Sequence, residues 1–556
     1  MRMTSRRRAV SSRDVSLTVP SVAAGVLDTS PEAEAAVHAT AGAVIGSRWP
    51  LLALVFIAGM TSMALEMCAS RLLAPYYGTS LFVWANLIGL VLIYLSVGYY
   101  FGGRLADKYP SRRLLCAITA TAALFTGLIP FISRPVLDWS IGGLDTANAS
   151  VFYGSLLAVL ALFSVPVTLL GFVSPFAVRL SVNAVGSAGS KAGGLYALST
   201  AGSIIGTFLP VLVLIPAWGV RRALIAACVA LLAASLWGLA PRWRLAVSLP
   251  GAILLVPLIL PQLAPLGPLK TIPGMIYSQE SFYNYIQVVQ DSDGTRELVL
   301  NEGLAVHSIY NPNQILTGNY WDDFLAAPYF YPGGSVTSVK RVGIIGLAGG
   351  TIAREFTAAD PGVQIDGVEL DPAIVQVGRK YFGMTEPNLH VHTGDGRAYL
   401  RVTHNQYDVI AIDAFQQPYI PFQLTTEEFF QEVRAHLSPT GVVCLNTGHT
   451  HNDYRLAQAF VNTLSAVFPS VYVFNLPGTF NTEIMATMRP TTLDTFEANL
   501  RAAPPSSMMS VVAAELLPLA SVGRPQPHGI VFTDDRAPVE QLTDQLILNY
   551  LQQGGY

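Results

Sequence analysis

Seven apolar windows fill most of the first half of this chain, and none contains Asp, Glu, Lys or Arg. They are Trp49–Leu65, Leu81–Gly103, Leu114–Ser133, Val151–Val178, Ala192–Val220, Ala223–Ala240 and Leu245–Leu260. A helix needs ~20 apolar residues to cross a bilayer, and in lipid every backbone polar group must be satisfied within the segment. Windows of this length and purity therefore predict a bundle of membrane-crossing helices over 48–265, with six to eight spans. The seventh window is interrupted by Pro250 and Pro257 and closed by Pro261.

The rest of the chain has a different character. Residues 1–266 carry 18 Lys+Arg against 8 Asp+Glu, whereas residues 267–556 carry 15 against 28. A basic membrane half and an acidic second half point to two environments. The acidic half argues against nucleic acid and suits a cationic partner. Arg104, Lys108, Arg112 and Arg113 cluster after the second window and mark that loop as cytoplasmic. Residues 1–47, with Arg6, Arg7, Arg8 and Arg13, read as a disordered basic cytoplasmic tail. An even number of crossings then places the C-terminal domain in the cytoplasm too, at the inner (plasma) membrane. Glu66 and Arg71 fall in or near the first span, where ionisable groups are functional candidates. Gly202 and Gly206 form a small-xxx-small face suited to helix packing. Cys68, Cys116, Cys228 and Cys444 form no CxxC pair, so no disulfide framework or zinc site is expected.

Beyond a Pro/Leu/Gly linker near 261–274, strand-like alternation flanks Asp293-Gly294 and predicts a β-hairpin subdomain over 275–335. From Val342 strands and helices alternate: VGIIGL, TIAREFTAA, VQIDGVEL, PAIVQVGRKYF, LHVHTG, YDVIAIDA, TTEEFFQEVRAHL and GVVCLNTG. That order predicts a doubly wound, mainly parallel Rossmann-like α/β domain over 336–556. Gly346, Gly349 and Gly350 form a turn with no side chain to block a ligand, in front of a helix N-terminus. Glu369 ends the next strand, where a carboxylate can accept from both ribose hydroxyls. Asp395 follows the third strand and can take an adenine amino group. Asp413 ends the fourth, facing the presumed crevice, or else caps the turn that follows. His449 and His451 share a loop without a clear third ligand, so no metal is expected there.

With these residues in place, the region from about Gln279 to Thr447 resembles the spermidine synthase family of aminopropyltransferases, built on the S-adenosylmethionine-dependent methyltransferase fold. ESFYNYIQV…LVLNEG is similar to that family's substrate-side hairpin. VFTDDRAPVE and MALEMCASRLLAPYYGTSLFVWANLIG resemble its membrane-fused branch. The resemblance implies that Gly346, Gly349, Gly350, Glu369, Asp395 and Asn284 line a site for decarboxylated S-adenosylmethionine or S-adenosylmethionine. This donor is a co-substrate, not a prosthetic group. Asp413 is the implied catalytic base, and a homodimer paired through the hairpin is implied as well. Gly349 stands where the family has an Asp for the donor's amino group, and Gln416 where it has a second carboxylate. Tyr320, Trp321, Asp322 and Asp323 lie where the family closes over its substrate.

The expected function is aminopropyl or methyl transfer to a small amine or polyamine, by a protein seated in a lipid bilayer and not bound to nucleic acid. The rival expectation is a transporter or sensor whose nucleoside-binding domain performs no chemistry. An NAD oxidoreductase fits less well, because no hydride-transfer partner is evident.

Overall fold

A computed structural model describes residues 49–78, 81–142, 150–182, 188–239, 266–303, 305–415 and 419–552. The basic tail, the seventh apolar window and Gln416 lie outside the described residues.

Six helices among the described residues are long and apolar enough to cross a membrane. They are α1 (Trp49–Tyr77), α2 (Leu81–Lys108), α3 (Arg112–Gly142), α4 with α5 (Ser155–Gly171 and Val173–Ser181), α6 (Ala188–Leu209) and α7 (Val220–Leu239). The small-residue face of α6 lies directly on α1. A Cβ on Gly202 or Gly206 would strike the backbone oxygens of Phe56 and Met60, and Ser203 Oγ donates to Gly59 O at 3.2 Å. Without side chains between them, the two backbones gain dispersion contacts that larger residues would prevent.

One end of this bundle carries the rest of the protein. At the C-terminal end of α1, Arg71 Nη1 donates to Tyr283 O at 3.0 Å and Tyr76 Oη to Leu269 O at 2.9 Å. Arg134, in the last turns of α3, reaches Thr271 Oγ1 at 2.6 Å. Glu280 Oε2 accepts from the backbone N–H of Val220, the first residue of α7, at 2.8 Å. The carboxylate thus satisfies an orphan donor and meets the positive end of the helix. The basic loop of Arg104, Lys108, Arg112 and Arg113 lies at the opposite end, because α2 runs the whole bundle between Leu81 and Lys108. Arg179 pairs there with Asp107 at 3.3 Å. The basic loop and the C-terminal domain thus lie at opposite ends of the helical bundle. Leu239 and Leu266 also sit at opposite ends of α7, whose 20 residues span ~30 Å. Leu266 O accepts from Arg221 at one end, and Gly238 packs on Cys116 at the other.

The hairpin subdomain is a four-stranded antiparallel meander, β1 (Met275–Glu280), β2 (Tyr285–Gln290), β3 (Arg296–Leu300) and β4 (Val306–Tyr310). Its β2–β3 turn holds Gly294 at φ +90°, a conformation that favours glycine.

The α/β domain is built on an eight-stranded sheet of order β12-β10-β11-β9-β8-β5-β6-β7. Strands β5 (Arg341–Ile345), β6 (Gln364–Glu369), β7 (Leu389–Thr393), β8 (Tyr407–Ile412) and β9 (Leu437–Gly448) run parallel. An antiparallel edge follows, made of β10 (Ser470–Asn475), β11 (Asn481–Thr487) and β12 (Ala520–Val522). Alternate residues face opposite cores. Val342, Ile344, Val409 and Ala411 pack on one side, Ile345, Ile410 and Ile412 on the other. Both faces are covered by helices, which is why these strands read as unbroken apolar runs. Helix starts follow local chemistry. Asp371 caps α9 (Pro372–Tyr381) by accepting from Ala373 N at 2.9 Å, with Pro372 at the first helical position and Arg379 and Lys380 in the last turn.

Chain order places β6 and β7 on one side of β5 and β8 on the other. The strand ends after β5 and β8 thus flank a topological switch point, where the backbone opens a crevice.

Candidate active site

A cavity of about 620 Å³ opens at this switch point, roofed by the hairpin subdomain and lined by residues from both sheets. Gly346 ends β5 at φ +90°, and a Cβ there would strike the backbone oxygen of Asp413. Only glycine lets the β5 and β8 exits come this close. Gly350, at φ +92°, starts α8 (Thr351–Ala359). Of the sequence candidates, Gly346, Glu369, Asp395, Asp413 and Asn284 line the cavity, while Gly349 and Gly350 form the turn behind it.

Glu369 spans the glycine turn and the start of the next helix. Its Oε2 accepts from Ala348 N and its Oε1 from Asp371 N, both at 2.9 Å. Burial pushes the Glu369 carboxyl up to about 7 against the pull of these two donors. A carboxylate offers about four lone-pair sites, so each oxygen retains one for a ligand. Asp395 caps α10 (Gly396–Val402) through Oδ1, which accepts from Ala398 N at 2.8 Å, leaving Oδ2 outside the cap. Asn284 is a positioning link. Its Nδ2 donates to Asp371 Oδ2 at 3.0 Å and its Oδ1 accepts from Asn301 at 3.0 Å. Ser281 Oγ donates to the same Asp371 oxygen.

Asp413 is not a turn cap. Tyr320 Oη and Trp321 Nε1 donate to its Oδ2 at 3.2 and 3.0 Å, and Asn446 Nδ2 to its Oδ1 at 3.2 Å. Burial pushes the Asp413 carboxyl up to about 6, with the three donors pulling the other way. The carboxylate is thus held in one orientation and is ionised above that pH, as a base acting near neutrality must be.

The sequence placed Tyr320–Asp323 over the substrate, and the structure divides the four. They open a 3₁₀ helix, Tyr320–Phe330. Tyr320 and Trp321 line the cavity, whereas Asp322 turns back to accept from Thr317 N and Gly318 N at 2.8 and 2.9 Å. Asp323 is fully buried beneath them. Neither replaces a lost carboxylate in the cavity. His449 stacks on Tyr454 and its Nδ1 meets Thr482 Oγ1 at 2.9 Å, so its ring is committed to packing.

Three cavity features escaped the sequence reading. His307 lines the cavity from β4, and burial pushes its imidazole down to about 4, so it is neutral. Glu297 adds a carboxylate from β3. Asn446 sits beside Asp413 because β9 runs parallel to β8 in the sheet. None is announced by a motif; each is brought in by strand register.

Gly349 has a local explanation. A Cβ there would lie 2.8 Å from Ser308 Cβ and 3.1 Å from Phe382 Cγ, and its N–H donates to Ser308 Oγ at 2.8 Å. The position is filled by the hairpin subdomain. VFTDDRAPVE also has a place: Asp534 grips Arg397 of α10 with both oxygens, at 2.7 and 2.8 Å. Arg397 in turn reaches Gln423 O on the cavity rim at 3.2 Å. The tail thereby fixes the helix that Asp395 caps.

Residues 330–496 match the spermine/spermidine synthase domain. The chain is 33% identical over 302 residues to a probable polyamine aminopropyl transferase of Bifidobacterium longum, covering 49% of this chain and 64% of that protein. It is 35% identical over 153 residues to a polyamine aminopropyltransferase of Vibrio vulnificus, covering 27% and 50%. The match thus spans less than two thirds of either relative. A probable spermidine synthase of Corynebacterium glutamicum superposes with a TM-score of 0.39 at 21% identity, covering 48% of this chain and 97% of that one.

Proposed function

We propose, from the match of residues 330–496 to the spermine/spermidine synthase domain, that the protein is a membrane-embedded transferase. It passes an aminopropyl group from decarboxylated S-adenosylmethionine to a small amine. The carrying observation is the charge of the cavity: Glu297, Glu369, Asp395 and Asp413 line it, and no lining residue is Lys or Arg. Both proposed substrates are cations, a sulfonium and an ammonium. An acidic cleft attracts both and repels anions.

Glu369 receives the ribose hydroxyls and Asp395 Oδ2 the adenine amino group. Asp413 accepts one proton from the acceptor's ammonium. The freed nitrogen lone pair attacks the carbon next to sulfur, the N–C bond forms as the C–S bond breaks, and the bonding pair leaves on sulfur. The products are an alkylated amine and neutral methylthioadenosine. Fixing Asp413 with three donors preorganises the proton transfer and the approach of the amine. A pocket that only sensed a nucleoside would leave this rigidly held carboxylate without a role.

Methyl transfer from S-adenosylmethionine is the second reading, favoured by one observation: Gly349 closes the position implied for a carboxylate that holds the aminopropyl amine. The same acidic lining weighs against it, because S-adenosylmethionine brings a carboxylate of its own. Titrating the full chain in detergent with both donors and methylthioadenosine separates the readings. The proposal expects the decarboxylated donor to bind more tightly than S-adenosylmethionine. Tighter S-adenosylmethionine binding with a methylated amine product would establish the second reading, and binding of none of the three would overturn both.

The site faces the membrane side away from Arg104–Arg113. The excess of basic residues at that far end marks it as cytoplasmic. We therefore place the transferase domain, and the entry of its substrates, on the opposite side.

A further inference from the structure

The end of the bundle that carries the α/β domain bears exposed aromatic side chains at one level. Trp139 of α3, Tyr153 just before α4 and Trp218 just before α7 are each more than half exposed. Ser140, next to Trp139, meets the hydroxyl of Tyr77 at the end of α1. Gly154, next to Tyr153, packs so closely there that a Cβ on it would lie 2.9 Å from the Tyr77 ring. Trp218 adjoins Gly219 and Val220, on which the Glu280 carboxylate rests. Trp and Tyr gather where lipid headgroups meet hydrocarbon, because each joins an apolar ring to a polar N–H or O–H. These side chains therefore mark the bilayer surface on this side of a membrane-embedded bundle.

The turn between β1 and β2, Ser281–Asn284, reaches the same level. Ser281 and Asn284 line one small cleft with Arg71, Ala74 and Pro75, in the last two turns of α1. Glu280, one residue before the turn, holds the first amide of α7. The turn reads SFYN and contains no charged residue. Its two rings pack edge to face with centroids 4.9 Å apart, and Phe282 and Tyr283 are 39% and 37% exposed. Its backbone is tied up internally or by the bundle. Tyr283 N and Asn284 N donate to Ser281 Oγ at 3.1 and 2.8 Å, Asn284 O accepts from Ser281 N at 2.8 Å, and Tyr283 O accepts from Arg71 at 3.0 Å. An uncharged turn with paired backbone groups and two outward rings loses little on leaving water and gains by burying the rings.

We propose that the Phe282–Tyr283 turn inserts into the headgroup layer of the bilayer and is a lipid-contact surface of the hairpin subdomain. This rests on the membrane-embedded reading above. The occupant is lipid because the turn is continuous with the aromatic level of the bundle and is fixed to α1 and α7 at that level. Tyr283 and Asn284 also line the cavity. The lipid surface therefore lies one residue from the cavity wall and braces it.

The test places a dye at single positions of the full chain in lipid nanodiscs. Cys68, Cys116, Cys228 and Cys444 are buried, so a maleimide dye reports the introduced cysteine. Phe282→Cys is compared with Trp139→Cys at the aromatic level and with Val402→Cys, exposed at the end of α10 remote from Asp395. Each is measured with lipids brominated just below the headgroup and with iodide in the water. We expect bromolipid to quench the dye at Phe282→Cys to within about twofold of Trp139→Cys, and to leave Val402→Cys unquenched. Tyr283→Cys serves if Phe282→Cys does not fold. Quenching at Trp139→Cys without quenching at Phe282→Cys overturns the lipid contact and leaves the membrane-embedded reading intact. A dye at Phe282→Cys shielded from both bromolipid and iodide overturns it too, and assigns the rings to a contact between two copies of the chain. Equal quenching at Val402→Cys and Phe282→Cys overturns the inference as well, because the turn would then be no closer to lipid than the remote helix end. Quenching at neither Trp139→Cys nor Phe282→Cys overturns the membrane-embedded reading itself, and the inference with it.

Discussion

Placing a carboxylate at position 349 provides a direct test of how the hairpin subdomain shapes the proposed donor site. The perturbation is Gly349→Asp. Its Cβ would lie 2.8 Å from Ser308 Cβ and 3.1 Å from Phe382 Cγ, well inside ordinary contact, and Ser308 is 1% exposed with nowhere to move. Overpacking of this kind costs about 1–3 kcal/mol. Weakening the 2.8 Å bond from Gly349 N to Ser308 Oγ adds to it. The single variant should therefore melt below wild type and bind decarboxylated S-adenosylmethionine no better. Ser308→Gly in the same chain removes the obstructing Cβ and the hydroxyl, and the new carboxylate can take over the Gly349 N–H locally. In that double variant the aspartate is free to meet the donor's amino group. One charge-assisted hydrogen bond contributes about 1.5–3 kcal/mol, or roughly a 10- to 100-fold gain in affinity. The assays are thermal melting in detergent and calorimetric titration with the donor. A Gly349→Asp variant that melts like wild type and binds the donor at least tenfold more tightly would refute the crowding argument.

Other outcomes follow from the same geometry. Asp413 must be ionised to act as base and is pushed up to about 6, so kcat/KM should rise with pH through that value. Asp413→Asn should lower turnover by about 100-fold or more while donor binding persists. A rate independent of pH between 5 and 7 would remove Asp413 from the role. Stability should run the other way. Glu369 at about 7 and Asp323 at about 8 lie above their ordinary values, so the folded state holds protons that the unfolded chain would release. Their stabilising contribution is complete below about pH 4 and is lost as pH rises through 7 to 8. The melting temperature should therefore fall between pH 5 and 9, and Asp323→Asn should flatten that slope. A melting curve that climbs over this range would contradict the burial argument. Topology is checked with reporters inserted at Tyr109 and fused after Tyr556. They should report opposite sides of the membrane, with the Tyr109 loop inside, and the same side for both would refute the placement of the domain.

Much of the α/β architecture was legible because its signals are local. Strands such as VGIIGL and YDVIAIDA are buried on both faces and read as apolar runs, and turns at Gly346 and caps such as Asp371 are set by neighbours in sequence. The crevice was legible for the same reason, since parallel order brings every strand end to one edge. What stayed hidden depends on partners far along the chain. Asp413 was readable as a turn cap until Tyr320, Trp321 and Asn446 arrived from another helix and another strand. Asp322 and Asp323 looked like a pair available to substrate, but the 3₁₀ helix turns one into its own N-terminal loop and buries the other. Glu483 sits in a strand, NTEIMAT, whose apolar content hides one acid. Loop charge bears on one end of the bundle only. Which end receives the C-terminal domain is decided by Arg71, Arg134 and Glu280 meeting partners 212, 137 and 60 residues away.

Those same contacts join the α/β domain to the helical bundle through its hairpin and not through the sheet. Arg71 of α1 holds the carbonyl of Tyr283, in the turn between Ser281 and Asn284. Ser281 and Asn284 both donate to Asp371, which caps the helix that follows Glu369. Glu280, one residue before Ser281, is anchored on the first amide of α7. A rotation of α1 against α7 therefore acts on one short turn, and that turn abuts the ribose carboxylate and the cavity roof. The α/β sheet touches this chain of contacts only through Asp371. These hydrogen bonds give one route for coupling between bundle and cavity. Arg71→Ala, which removes one of them and touches no substrate, should raise the KM for the nucleoside donor while leaving kcat within about twofold, the pattern of lost ground-state binding. A fall in kcat at constant KM would mean instead that α1 acts on Asp413, for which the structure offers no route.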